Sequence, residues 1–400
     1  MPLSNNARIF YACQAVALEP VKPDLTASTV AKDILHGVQS VGINTTFNLE
    51  QVFELGQIHI YENIEGVPDV EVTLEKVLDG YPLMYHLASA AAKDDASLTT
   101  NAAKTALVAR SKQRCNAALA IYPETVSHIG DGTTTNNETV EIVMSGMYIS
   151  SIGYTIPVDG NATESLTLVG NHKQWNATMA GSTKFTQALA RSLGSGVGGS
   201  YMDSPRSLQP GTFYGGVQRR ENVAINQSVL PKSINGVLQT NNEGNGWDSA
   251  KNTPRAHIQN ISISCDLNRE SIQELGRKSP YTRYANFPVE VTCEIEAITG
   301  SGDFINALEE GAYAVGTENY GNNTANETIF IRLHDGTTFD LGNKNRLSSV
   351  NYTGGDAGGG NVTTTYSYST YNSLNVYHPR DPAGSVGAIS PNGGFKYNGV

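Results

Sequence analysis

The chain has 400 residues, 39% hydrophobic and 16% charged, with a formal net charge of −11. That length accommodates two ordinary domains with their own cores. The acidic balance makes the chain a poor candidate for gripping nucleic acid, which needs clustered Lys and Arg. No apolar run approaches the ~20 residues of a membrane-spanning helix. No leader of the basic, apolar, small-residue type opens the sequence, so the expectation is a soluble protein made in a reducing cytoplasm. Cys13, Cys115, Cys265 and Cys293 form no C-x-x-C pair, which removes the zinc and thioredoxin readings.

In chain order, residues 38–56 read VQSVGINTTFNLEQVFELG. Val41, Ile43 and Phe47 alternate with polar residues, predicting a strand with one buried face. The stretch closes on Glu54-Leu55-Gly56. After Pro68, DVEVTLE predicts a second strand, with Val70, Val72 and Leu74 on one face and Glu71, Thr73 and Glu75 on the other. Residues 82–122 are Ala-rich. Leu83, Met84, Leu87, Ala90 and Ala91 fit one helical stripe, and Asn101 is placed to cap a second helix carrying Leu107, Val108, Cys115, Ala118 and Leu119. Ile149–Val169, ISSIGYTIPVDGNATESLTLV, reads as paired strands. Residues 176–216 are rich in Gly, Ser and Pro and read as a linker.

Beyond the linker the chain repeats itself. Residues 258–276, IQNISISCDLNRESIQELG, match 38–56 at seven of nineteen positions, including Glu274-Leu275-Gly276. Val289-Glu290-Val291-Thr292 matches Val70-Glu71-Val72-Thr73. Asn326-Glu327-Thr328-Ile329 echoes Asn137-Glu138-Thr139-Val140. Ser348-Ser349-Val350-Asn351-Tyr352-Thr353 echoes Ser150-Ser151-Ile152-Gly153-Tyr154-Thr155. A Thr-rich strand then ends each copy, around 162–169 and 362–369. Val289, Val291 and Cys293 face one way; Glu290, Thr292 and Glu294 face the other. The strand-like run Glu221–Leu230 corresponds to Ala7–Leu18, and Phe304–Ala312 is a shorter helix candidate. The predicted class is α+β, mainly β: two tandem units, 1–175 and 217–380, each with a helical excursion, joined by 176–216 and followed by an arm at 381–400.

The chemistry is sparse. No G-x-x-x-x-G-K-[ST], H-E-x-x-H or G-x-S-x-G occurs. His59 and Glu62 share a loop without a third partner. No catalytic, cofactor-binding or metal-binding residue is assigned, and no enzyme is expected. The carboxylates Glu71, Glu75, Glu290 and Glu294 read either as an ordinary solvated sheet face or as the wall of a channel that repels phosphate. Tyr366, Tyr368 and Tyr371 leave room for a carbohydrate-binding β-protein, for which Trp175 and Trp247 are the only tryptophans.

The strand-and-ELG pattern at 38–56, VEVTLEKVLDG at 70–80, and ISSIGYTIPVDGNATESLTLV at 149–169 resemble the tail tube proteins of tailed bacteriophages. The resemblance covers most of 1–175 and, more weakly, 217–377. It implies a β-sandwich or partial barrel with a flanking helix, whose neighbours complete an inner barrel around a lumen. The strands at 70–78 and 289–297 become lumen-wall candidates. A duplicated member implies three chains per pseudo-sixfold ring, stacked into a virion tail assembled in the host cytoplasm. Duplex DNA passes through without specific binding, and sheath, tape-measure, terminator and baseplate proteins are the expected partners, with no cofactor and no membrane. A baseplate hub or adaptor ring is the alternative within the virion. YTGGDAGGGNVT in the second copy departs from YTIPVDGNAT in the first.

Overall fold

Alternating apolar and polar residues dominate both halves, and such segments bury one face only by joining a sheet. A computed structural model describes residues 9, 11, 14–20, 33–56, 58–89, 106–121, 140–177, 216–224, 231, 234, 256–299, 305, 326–355 and 360–378. The first half runs β1 (Gln14–Pro20), β2 (Asp33–Ile34), β3 (Val38–Thr46), β4 (Leu49–Phe53), β5 (Ile60–Glu65) and β6 (Asp69–Val77). It continues through α1 (Met84–Ser89), α2 (Leu107–Arg110), β7 (Cys115–Ile121), β8 (Val140–Pro157), β9 (Thr163–Gly170) and β10 (Gln174–Ala177). The second runs β11 (Val223–Ala224), β12 (Ala256–Asp266), β13 (Arg269–Ile272), β14 (Thr282–Ala285) and β15 (Glu290–Thr299). Then come β16 (Phe330–Leu333), β17 (Thr338–Asp340), β18 (Arg346–Thr353), β19 (Thr363–Tyr371) and β20 (Asn375–Tyr377).

One antiparallel sheet crosses the molecule in the order β3-β6-β9-β8-β12-β15-β19-β18. Its apolar face carries Val72, Leu74, Leu166, Ile152, Ile263, Val291 and Tyr366, all buried in one continuous core. Behind it, β2-β1-β7-β8-β10 backs the first half and β11-β16-β17-β20 the second. The 18-residue β8 serves both layers of the first half. Gly146, at φ +66°, and a bulge between Ile149 and Ser151 turn it from the rear sheet into the front one.

The pairings of the second half retrace those of the first. The β3–β6 joint is bulged between Val38 and Ser40, and the β12–β15 joint between Ile258 and Asn260. The β8–β9 joint is bulged between Ile149 and Ser151, and the β18–β19 joint between Leu347 and Ser349. Two of the sequence matches need correcting. Val41 opposes Leu74 whereas Ile261 opposes Ile295, so Val70 occupies the place of Val291 rather than Val289, and Glu71 that of Thr292. A shift of two residues leaves every side chain on its original face, so alternation alone does not reveal it. In the Asn-Glu-Thr echo, Asn137, Glu138 and Thr139 lie outside the described residues, and the residues that close it fall at different elements. Val140 opens β8, whereas Ile329 precedes β16, a strand whose counterpart in the pairing scheme is β7.

The helical expectations hold only in part. Leu83, Met84 and Leu87 are buried, but α1 is enclosed on all sides rather than along one stripe. The second helix stops at Arg110, and Cys115, Ala118 and Leu119 belong to β7. β7 is hydrogen-bonded between β1 and β8 and buried on both faces. Small alanines fit that sandwiched position, and the tertiary pairing overrides their helix propensity. Ala90, Ala91, Asn101, Trp247, Cys13, most of 176–216 and Phe304–Ala312, and the arm 381–400 lie outside the described residues.

Candidate functional site: a polar face between two open edges

The face of the front sheet opposite the core is built from small polar residues and carboxylates. Glu71, Thr73 and Glu75 project from β6, and Glu290, Thr292, Glu294 and Glu296 from β15. Ser165, Thr155, Ser264, Thr365 and Ser367 share that face by register. Among its described strand residues Arg346, at the rim, is the only Lys or Arg. The four glutamates singled out in the sequence therefore lie on one surface, and Glu296 is a fifth that the two-residue misalignment concealed. The tyrosine cluster does not form a sugar platform: Tyr366 and Tyr368 are buried in the core, and only Tyr371 is exposed.

The sheet ends on β3 at one side and β18 at the other. Each has one described partner strand. Phe47, placed by alternation on the buried face, is 71% exposed, whereas its counterpart Leu267 is 1% exposed. The cause is the neighbour. Leu267 follows β12, which is flanked by β8, and its N–H donates to the Ser150 carbonyl at 2.8 Å. β3 has no such strand beside it among the described residues.

Glu54-Leu55-Gly56 and Glu274-Leu275-Gly276 sit at the tips of two matching hairpins, β4–β5 and β13–β14. Gly56 and Gly276 adopt φ +95° and +86°, which explains a glycine at each tip. The β13–β14 hairpin is anchored on the first half. Arg283 meets Asp69 at 2.7 Å, Thr282 shares a 3.1 Å hydrogen bond with Tyr148, and Arg269 donates to the Ile149 carbonyl at 2.6 Å. Burial works to raise the Asp69 pKa, but hydrogen bonds from Asn48, Arg283 and Asn171 prevail and hold it below the usual range. The β4–β5 hairpin instead exposes Leu49, Phe53, Leu55, Ile58 and Tyr61, and His59 and Glu62 are exposed on it too. A contiguous apolar projection of this kind marks a contact surface.

The junction of the halves holds a buried polar cluster. Lys76 donates to Asp79 at 3.2 Å, and Gln218 accepts from the Asp335 N–H at 3.3 Å while its own N–H reaches the Leu78 carbonyl at 2.7 Å. Burial pushes the Asp335 carboxyl up to about 6, against hydrogen bonds from Thr337 and with help from the nearby Asp79 charge. A folded-state pKa above the unfolded value gives stability that is full below the unfolded pKa and lost as pH rises through about 6. Asp335→Asn removes this titration. Its stability relative to the parent is expected to improve by roughly 3 kcal/mol between pH 4 and pH 7. Urea unfolding midpoints across that range check this, and equal pH slopes in the two proteins would refute it.

No three-residue His/Cys/Asp/Glu group suited to a metal occurs among the described residues, and none of their helices is long and apolar enough to cross a membrane. No family model and no curated protein matches the sequence. Similar solved structures include the tube-terminating cap of the anti-feeding prophage, at 13% identity over 44% of this chain and 97% of that one, with TM-score 0.29. The sheath–tube complex of an extracellular contractile injection system matches at 11% identity, 44% and 95% coverage and TM-score 0.27. An Hcp protein matches at 9% identity, 41% and 98% coverage and TM-score 0.20. Each aligns with less than half of this chain, and likenesses this slight carry no functional weight.

Proposed function

We propose that this chain is a structural protein that closes into rings and stacks them into a tube. It comprises two copies of one β unit, 1–175 and 217–380, bridged by 176–216 and followed by the arm 381–400. The observation that carries the reading is the front sheet: four strands of one half continue into four strands of the other, ending on two open edges. Exposed strand edges are templates for pairing. A head-to-tail contact closes into a ring when its rotation permits.

Strand spacing favours three chains. Three eight-stranded sheets make a closed wall with a circumference of about 115 Å, or about 37 Å across the backbones, at ~4.8 Å per strand. Side chains take ~5 Å on each side and leave roughly 27 Å free. Two chains would leave only about 14 Å by the same reckoning, too narrow for a duplex. The polar face then lines the lumen. Its Ser and Thr residues offer little grip, and its carboxylates repel phosphates, which suits a tail conduit through which DNA is ejected. The exposed β4–β5 hairpin serves contacts beyond the sheet, among them ring stacking and sheath, tape-measure, terminator or baseplate proteins. An adaptor ring would share all of this but stop at one layer.

Electron microscopy of the purified protein, with mass measured in solution, tests the reading. Hollow stacked rings of three chains are expected, and a stable monomer at high concentration would defeat it. Replacing Glu71, Glu75, Glu290 and Glu294 with Lys is expected to leave rings intact while making them retain duplex DNA at low salt. Equal retention by the parent rings would remove the lumen assignment.

A further inference from the structure

The geometry points to the docking site of the next copy in residue-level detail: β18 of one chain pairs with β3 of another in the register of the internal β8–β12 seam, and Tyr352 seats in an apolar groove beneath β3. This rests on the ring reading and goes beyond it by fixing which residues meet.

The seam is fully described inside the chain. Ser262 opposes Thr155, Ile263 opposes Tyr154, Ser264 opposes Gly153 and Cys265 opposes Ile152. The pairing scheme puts β3 in the place of β12, with Val41 for Ile261 and Ile43 for Ile263. It puts β18 in the place of β8, with Val350 for Ile152 and Tyr352 for Tyr154. Transferring the seam therefore sets Gly42 opposite Thr353, Ile43 opposite Tyr352, Asn44 opposite Asn351, Thr45 opposite Val350 and Thr46 opposite Ser349.

Three independent features fit. First, the side chains that the seam buries are open at the edges. Tyr154 is 1% exposed and packs on Phe339 with ring centroids 4.5 Å apart, while Tyr352 is 52% exposed. Second, a groove of about 250 Å³ lies beside β3, lined chiefly by apolar side chains, among them Val41, Ile43, Leu119 and Trp175, together with Gln14 and Lys173. It opens where, in the second half, β8 covers β12. Third, the hairpins are matched in charge. At the seam Tyr148 meets Thr282 of the β13–β14 hairpin. The same transfer places Arg346 against Glu62 of the β4–β5 hairpin, and both are exposed in the single chain. An ion pair thus replaces a hydroxyl pair, and Phe47 is covered as Leu267 is.

The β18 that pairs with β3 belongs to a second copy rather than to the same chain. β3 and β18 lie at opposite ends of an eight-stranded sheet, about 34 Å apart at the usual spacing.

Paired cysteines test the register. Burial pushes the thiols of Cys115, Cys265 and Cys293 up to about 12, so they stay protonated and unreactive. In a Cys13→Ser background, Asn44→Cys with Asn351→Cys, and Thr46→Cys with Ser349→Cys, are expected to oxidise to covalent dimers and closed trimers. Asn44→Cys with Ser349→Cys, two residues out of register, is expected to cross-link at least tenfold less, because a disulfide demands close Cα atoms. Ser262→Cys with Thr155→Cys, across the internal seam, is the positive control. Rings that cross-link only through the offset pair would overturn the register and leave the ring reading standing. Monomers without cross-links, at concentrations that should assemble, would overturn both.

Discussion

Chains carrying Ile43→Asp are expected to fold as monomers and to form no rings. Ile43 is half-buried at the open edge and packs against the core from one side only. A carboxylate there keeps access to water in the free chain, so the substitution costs the monomer little. Docking of a second copy would bring Tyr352 over that position and strip the water away. Burying an ion is unfavourable even though Lys173 lines the same groove, because that ammonium is already held by the Thr45 hydroxyl, and the cost recurs at every joint of the ring. The counterpart Ile263 makes the contrast. It lies in the interior of the same sheet, between Tyr154 on β8 and Cys293 on β15. Ile263→Asp is expected to prevent folding altogether. Sedimentation velocity with circular dichroism separates the cases: monomeric and folded for Ile43→Asp, unfolded or aggregated for Ile263→Asp. Rings formed by Ile43→Asp as readily as by the parent would remove β3 from the contact.

That contrast shows what the sequence reveals and what it hides. Period-two alternation located β3, β6, β12 and β15 and assigned the right faces to Val70, Val72, Leu74 and their carboxylate neighbours. It misplaced Phe47 because alternation reports which face a residue takes, not whether anything covers it. The internal matches exposed the hairpin tips and the β8–β9 and β18–β19 strands, yet the VEVT identity fell two residues out of register. Identical letters on a period-two strand fit either alignment, and only the cross-strand pairs and bulges decide between them. Cys115, Ala118 and Leu119 read as part of a helix because the alanines around them favour one locally, and nothing local signals that two strands enclose them. The buried cluster of Lys76, Asp79, Glu164 and Asp335 was invisible for a related reason. Its members come from three separate segments, around 76–79, 164 and 335, and each charge alone resembles a solvated one.

Glu164→Ala is expected to destabilise the chain by about 3–5 kcal/mol, the range for removing one partner from a buried charged network. Glu164 is fully buried on the core face of β9. Its carboxylate accepts from the Met84 N–H at 2.7 Å, the Tyr85 N–H at 3.0 Å and the Tyr154 hydroxyl at 3.2 Å. Alanine leaves all three donors facing a void and takes away an anion that balances Lys76. The damage spreads because α1 depends on those contacts and itself touches the second half, where the His86 ring meets the Val376 carbonyl at 3.0 Å. Burial raises the Glu164 pKa despite the Lys76 charge and these hydrogen bonds, so ionisation is already opposed by the site. Glu164→Gln gives up the charge and sets an NH2 group against the Met84 N–H, but its remaining oxygen still accepts from the Tyr85 N–H and the Tyr154 hydroxyl, so its loss is expected to be smaller than that of alanine. Urea midpoints at pH 7 measure both. Equal losses for the two variants would mean that the charge and the Met84 contact, not the hydrogen bonds from Tyr85 and Tyr154, carry the stability. A loss below about 1 kcal/mol for alanine would mean that the network contributes no more than an ordinary hydrogen bond.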